Sequence, residues 1–397
     1  MPAPALNRER RSASLLIFSL VTLDLVGFAM VLPLLASYGA RHGTGDAMVG
    51  ALVASYSLLH FLLAPAWGRL SDRIGRRPVL LVGFAGSVAA YLLFGLAGSF
   101  LTLMASRVVA GVSGATVNVA QAALADVTPP EQRSRAMGLI GAAFGIAFVI
   151  GPALAGITSR WGDGAPGLVA AGISGVNLVF AAALLPETRS GSRPPTAPPL
   201  PWAGLPLPLA IAFLETLAFT AIYVALPLFA ERHLGYDRAT VSFLYALMGL
   251  AGALVQGWLV GRLAPRVGEA PLITGGGVLM AAALAAVPVV EGPALAVTLA
   301  MLAAGSGLII PAVAAWVSRH APAEAQGHAL GRLQSATSMA RVAGPLSAGA
   351  TSDAMGLAAA FRGGAAAALL AAVLGLVLVL VSGASVARRK AAPSVHP

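Results

Sequence analysis

Apolar residues run through this chain in long, unbroken blocks separated by short polar gaps. About twelve such blocks open near Ala13, Ala47, Pro78, Phe100, Ser134, Gly167, Leu207, Ala239, Ala270, Ala294, His328 and Ala358. Each approaches the roughly 20 residues that a helix needs to cross about 30 Å of hydrocarbon. The blocks are continuous, unlike the alternating segments of about ten residues found in membrane barrels. The pattern therefore predicts an all-α integral membrane protein with twelve transmembrane helices. At the midpoint the pattern breaks. Pro194, Pro195, Pro198, Pro199, Pro201, Pro206 and Pro208 crowd one stretch. Each proline removes an amide donor and blocks the preceding helical turn, so an extended linker is expected there.

Composition supports lipid as part of the solvent. The 397 residues are 58% hydrophobic and only 10% charged, against about 25% charged in soluble domains. The absence of cysteine rules out disulfides, thiolate metal sites and a cysteine nucleophile. The net charge of +10 is carried almost entirely by arginine, with Lys390 the only lysine. These cations sit in the gaps between apolar blocks, which favours a topological role over nucleic-acid binding. One set of gaps holds Arg69, Arg73, Arg76, Arg77, Arg133, Arg135, Arg189, Arg193, Arg262, Arg266, Arg319 and Arg332, and the opposite set only Arg41, Arg160, Arg232, Arg238 and Arg362. The expectation is a multi-pass protein of the bacterial plasma membrane with both termini cytoplasmic. The first apolar run, Ser14 to Leu35, is too long for a cleaved leader and carries Asp24. It is expected to remain as the first helix. Trp67, Trp161, Trp202, Trp258 and Trp316 fall near predicted membrane edges, where interfacial anchoring accounts for them.

The two sides of the linker repeat each other. The stretch from Gly68 to Arg76 matches the stretch from Gly261 to Glu269 at five of nine positions, at a shift of 193. The same shift carries Gly138 onto Gly331, Gly151 onto Gly344 and Pro152 onto Pro345. Six helices duplicated in parallel orientation predict two pseudo-symmetric six-helix bundles with a mid-membrane site between them. The boundaries read as residues 1–187 for the first bundle, 188–206 for the linker and 207–397 for the second bundle with a short basic tail.

The run Gly68-Arg69-Leu70-Ser71-Asp72-Arg73-Ile74-Gly75-Arg76-Arg77 resembles the signature loop between helices 2 and 3 of the major facilitator superfamily. That resemblance implies a latch, with Asp72, Arg76 and Asp126 joining the two halves. Gly68 and Gly75 permit the tight turn, and Arg77 helps to hold the loop on its side. The second copy departs from the pattern, with Pro265 for the aspartate and Glu269 for an arginine. A latch there is expected to be weak or absent. Arg107 through Thr116, followed by Ala125-Asp126-Val127-Thr128, resembles helix 4 of drug/proton antiporters, and among them most nearly the tetracycline effluxers. Gly138, Gly151, Pro152 and Gly156 in helix 5 resemble the glycine–proline antiporter motif. The likeness has a limit. Tetracycline effluxers carry further acids in helices 3 and 9, where this chain has Ala89-Ala90-Tyr91 and, from Pro271 to Val289, no acid.

Four charged residues fall deep inside predicted helices: Asp24, Arg107, Glu215 and Arg341. Such residues are costly in a membrane and mark function by default. Leu23-Asp24 aligns with Leu214-Glu215 at a shift of 191, so one acid is expected to face the cavity from each half. Asp24, Arg107 and Glu215 are the expected proton-coupling residues, with Asp24 and Arg107 as a pair. An acid balanced between burial and a nearby cation can load and release a proton. Phe28, Tyr56, Asn118, Gln121, Tyr223, Gln334 and Arg341 are the expected cavity residues, with His60, Tyr245, Gln256 and Ser338 as further polar or aromatic neighbours. His60 reads first as a structural histidine. No Gly-x-x-x-x-Gly-Lys loop occurs, which argues against direct ATP drive. No His-Glu-x-x-His or Gly-x-Ser-x-Gly occurs either, leaving hydrolase chemistry without support. The expected function is export of small amphipathic compounds in exchange for protons, with no enzyme activity, cofactor, metal or nucleic acid, acting as a monomer. Transport of a metabolite or sugar derivative is the alternative within the same class, and a membrane receptor or enzyme on a transporter scaffold the alternative outside it.

Overall fold

A computed structural model describes residues 3–114, 116–128, 133–189, 206–322 and 325–391. Most of the proline-rich linker lies outside the described residues. Among the described residues, eleven helices are long and apolar enough to cross a membrane: α1 (Ala13–Arg41), α2 (Asp46–Ile74), α3 (Arg76–Gly95), α4 (Phe100–Val127), α5 (Met137–Trp161), α6 (Ala165–Leu184), α7 (Pro206–His233), α8 (Arg238–Val267), α9 (Glu269–Val289), α10 (Gly292–His320) and α12 (Leu357–Leu380). Between the last two lies α11 (Gln326–Met355), a 30-residue helix. It is long enough to span but too polar to be identified by hydropathy, because Ser, Thr, Gly and two arginines replace the usual aliphatic residues. It packs against α7, α2 and α12. With α11 included, the described residues form the twelve-helix, two-bundle architecture that the apolar blocks predict.

Local chemistry fixes the ends of the helices. Gly75 adopts φ +106° and ends α2, donating its N–H to the Ser71 carbonyl at 3.1 Å. Gly268 adopts φ +80° and ends α8 in the same way, through the Ala264 carbonyl at 3.0 Å. These two left-handed glycines are the repeated pair at a shift of 193, and side chains rarely adopt that backbone conformation. Asp237 caps α8 by accepting the Thr240 amide at 2.8 Å. The bonds from Thr240 hold its carboxyl below the ordinary range.

The bundles meet along two seams, α2 against α11 and α5 against α8. Small residues let the backbones approach. A Cβ at Gly50 would lie 2.5 Å from the Pro345 carbonyl oxygen, and one at Gly249 would lie 2.1 Å from that of Phe148. The helix-5 motif serves partly the same end. Gly151 lies against Ala29 of α1 and Gly156 against Ala239 of α8, whereas Gly138 has open space around it. Close packing therefore accounts for Gly151 and Gly156 but not for Gly138.

Candidate transport site

Asp24 sits in α1 and is buried. Ser87 of α3 donates to its Oδ1 at 2.8 Å and Thr116 of α4 to its Oδ2 at 2.7 Å. Glu215 sits in α7 and is also buried. Ser306 of α10 donates to its Oε1 at 2.5 Å and Thr216 to its Oε2 at 2.9 Å. Each bundle thus holds one buried carboxylate between two hydroxyls, on helices related by the repeat. A hydroxyl can donate to a carboxylate or accept from a carboxylic acid. Either protonation state can therefore keep hydrogen-bond partners without a change of backbone.

Arg107 does not pair with Asp24. Its Nε donates to Ser106 at 3.2 Å and its guanidinium lies 5.6 Å from the Phe94 ring centre. One terminal nitrogen is buried without a partner. The reason is height along α4. Asp24 bonds Thr116, nine positions further along α4 than Arg107, which faces Phe94 instead. The sequence correctly picks out both residues as unusual. It gives no sign that two hydroxyls occupy the acid.

Around Asp24 the first bundle gathers several of the expected cavity residues. Phe28 lies 4.9 Å from the Tyr56 ring and 6.4 Å from Phe148, and Tyr56 lies 5.7 Å from His60. His60 is within 3.4 Å of the Tyr56 hydroxyl and 3.3 Å of the Asn118 amide, as a structural histidine should be. In the second bundle Tyr223 stacks with Tyr245 at 5.9 Å and meets Phe219 edge-on at 6.0 Å. Gln334 and Arg341 are exposed on α11, and Gln121 is half-buried on α4. Arg341 lies on α11, the helix that packs against α2 of the first bundle and α7 of the second.

The signature loop forms a closed network. Arg76 donates to Asp126 at 3.0 Å, to Asp72 at 2.6 Å and to Ser71 at 2.6 Å. These bonds tie α2, α3 and α4 within the first bundle rather than joining the halves, as a latch would. Glu187, just past α6, completes the network by accepting the amides of Arg76 at 2.8 Å and Arg77 at 3.2 Å. Burial pushes its carboxyl up. Backbone amides of Arg189, Arg76, Arg77 and Thr188 outweigh that and hold it below the ordinary range. In the second copy Glu269 and Arg319 form an ion pair that ties α9 to α10 within the second bundle and does not join the halves.

The described side-chain bonds between bundles lie at the opposite end. Asp46, buried at the start of α2, receives both terminal nitrogens of Arg232 of α7, at 3.0 and 2.8 Å, and the Ser352 hydroxyl of α11 at 2.5 Å. Asp353 accepts the amides of Asp46 and Ala47 at 2.7 and 2.9 Å. Arg238 of α8 donates to Asp163, beyond α5, at 2.5 Å, and Arg41 and Tyr38 also reach Asp163. Beside this second cluster lies a cavity of about 440 Å³ lined by Arg41, Arg160, Asp163, Glu231, Asp237 and Arg238 among others. It is a charged mouth, remote in sequence and chemistry from Asp24 and Glu215. In the sequence Arg41, Arg160, Arg232 and Arg238 read only as topological charges. Asp46 and Asp353 escaped notice because each lies at a helix end, where an acid is ordinary.

Two bundles with paired buried acids and a seam of small residues define a membrane transporter, and the chain belongs to the Major Facilitator Superfamily, whose sequence model matches residues 17–259 and 208–396. Among its relatives is the class C tetracycline resistance protein of Escherichia coli, 32% identical over 85% of this chain and 89% of that protein. The major facilitator superfamily domain-containing protein 10 of Mus musculus is 27% identical over 87% of each chain. The crystal structure of the human organic anion transporter MFSD10 superposes with a TM-score of 0.71, covering 92% of this chain and 99% of that one at 24% identity. A bacterial homologue of the human lysosomal transporter Spinster, inward-facing and occupied, gives 0.75 at 16% identity, covering 93% and 95%.

Proposed function

We propose that this chain exports small amphipathic compounds across the bacterial plasma membrane in exchange for protons, by alternating access. The observation that carries the proposal is the pair of buried acids, Asp24 and Glu215, each held by two hydroxyls. A static ion pair would hold a carboxylate charged. Hydroxyls leave it free to change protonation state as the bundles rock. The aromatic rings of Phe28, Tyr56, Phe148 and Tyr223 offer faces for an apolar body. Bonds concentrated at one end of the bundle interface suit a molecule closed there and free to open at the other. The positive-inside pattern supports a cytoplasmic position for the signature end and both termini. Relatives named for tetracycline resistance support export. The lack of an acid within α3 and from Pro271 to Val289 of α9 argues that tetracycline itself is not the substrate.

The test uses purified protein in proteoliposomes with ethidium and tetracycline as probes. Accumulation should require a pH gradient and no ATP. Asp24→Asn should abolish the gradient-driven component and Glu215→Gln should weaken it. Normal pumping by Asp24→Asn would overturn the assignment.

One observation favours a second reading of the substrate. Arg341 is exposed on α11, which packs against both halves, without a carboxylate partner among the described residues. A guanidinium so placed would suit an organic anion, as would kinship with a protein described as an organic anion transporter. Fluorescein accumulation lost in Arg341→Gln, with ethidium unaffected, would support it; equal handling of both dyes by Arg341→Gln would reject it.

A further inference from the structure

The shift of 193 that aligns the two signature loops also aligns a pair of charges, with their signs exchanged. Arg76, the first residue of α3, maps onto Glu269, the first residue of α9. Asp126, next to last in α4, maps onto Arg319, next to last in α10. Both pairs are joined in the structure: Arg76 to Asp126, and Arg319 to Glu269. A single charge change at a repeated ion pair would leave two like charges together. Here both members are reversed and the contact is kept.

The two polarities are not equivalent. A helix carries partial positive charge at its N-terminus and partial negative charge at its C-terminus. Glu269 opens α9 and Arg319 lies in the last turn of α10, so both charges agree with their helices. Arg76 opens α3 and Asp126 closes α4, so both oppose theirs. The first bundle offsets this with additional groups. Arg76 is shared among Asp126, Asp72 and Ser71, and Glu187 accepts the amides at the start of α3. The second bundle has Pro265 where the first has Asp72. We propose that Glu269 and Arg319 form a standing tie that fixes the signature end of the second bundle. The Arg76 network, whose central cation is divided among several acceptors and held against two helix dipoles, is the exchangeable one. Glu269 and Arg319 are thus positioning residues for the rocking motion, an assignment that rests on the transport reading.

Because the chain has no cysteine, spin labels can be placed at will. Ile74→Cys and Val267→Cys put one exposed label beside each loop, and their separation is read in reconstituted protein by double electron–electron resonance. Glu269→Arg and Arg319→Glu should each broaden the distance distribution. The double exchange, which restores opposite charges, should narrow it again. In proteoliposomes each single variant should lower the maximal rate of whichever probe is exported roughly two- to fivefold with KM unchanged, the size of effect a partly exposed ion pair supports, and the double exchange should recover most of it. Distances unchanged in the single variants, or a double variant as broad as either single, would overturn the tie. The label measurement reads the folded fraction and needs no substrate, so it stands even where the export reading fails.

Discussion

At the residue scale, the proposed proton exchange rests on hydroxyls. Ser87 and Thr116 hold Asp24, and Ser306 and Thr216 hold Glu215. Thr116→Val keeps the shape of the side chain but removes the donor, and a hydrogen bond to a charged group is worth about 1.5–3 kcal/mol. Gradient-driven export should therefore fall roughly tenfold or more, and its pH profile should change. Thr116→Ser, which keeps the hydroxyl, should restore both. Equal export by Thr116→Val and the parent protein across pH would remove the hydroxyl from the mechanism. The acids themselves were legible in the sequence, because a carboxylate in an apolar helix is costly and rare. Their partners were not. A membrane-helix Ser or Thr usually bonds its own preceding turn, as Thr22 does to Phe18 and Thr274 to Ala270. Nothing in the sequence separates Thr116 from those. Arg107 shows the same limit. Position along a helix gives height but no partner, so two rare charges read as a pair although they sit at different levels.

At the element scale, α11 and the signature loop carry the lessons. The block opening near His328 was counted by length as one of the apolar spans, yet α11 falls short on hydropathy. The repeat landmarks Gly331, Gly344 and Pro345 lie on it and match Gly138, Gly151 and Pro152 of α5. Gly249 on α8 was invisible as a contact until α5 was packed against it. Its absent Cβ would lie 2.1 Å from the Phe148 carbonyl oxygen, a backbone atom that cannot turn aside. Gly249→Val should cost about 1–3 kcal/mol through overpacking and lower the melting temperature of detergent-solubilised protein. Gly138→Ala, which meets open space, should leave melting unchanged. Glu187 offers a pH-dependent check. Its folded carboxyl is held below its ordinary value of 4.5, so its contribution is complete above that value and is lost as pH falls through the folded pKa. Glu187→Gln should therefore lower the melting temperature at pH 7. The gap from the parent should close as the pH is taken below that of an ordinary carboxylate. A gap that persists unchanged in acid would mean that the charge of Glu187 does not anchor the loop.

At the scale of the whole molecule, closure at one end and opening at the other underlie the transport account. The network around Asp46 joins α2 to α7 and α11 through Arg232, Ser352 and Asp353. Removing one partner of a buried charge pair leaves the other uncompensated. Asp46→Asn should loosen this end, increasing modification of a cysteine placed at the half-buried Thr44 by a membrane-impermeant maleimide added from outside intact cells. Unchanged labelling would show that the seam of small residues alone keeps the end shut. The repeat made the two bundles readable from the sequence. The side of closure was not readable, because one sequence underlies every conformation a chain can adopt. The most direct test of the central claim is proton movement itself. Proteoliposomes enclosing a pH-sensitive dye are loaded with protons, and an exported probe is added outside. Probe uptake should coincide with loss of luminal protons in the parent protein, and the Asp24→Asn, Glu215→Gln double variant should show neither probe-driven proton release nor gradient-driven uptake. Probe-driven proton release that persists undiminished in the double variant would contradict the account.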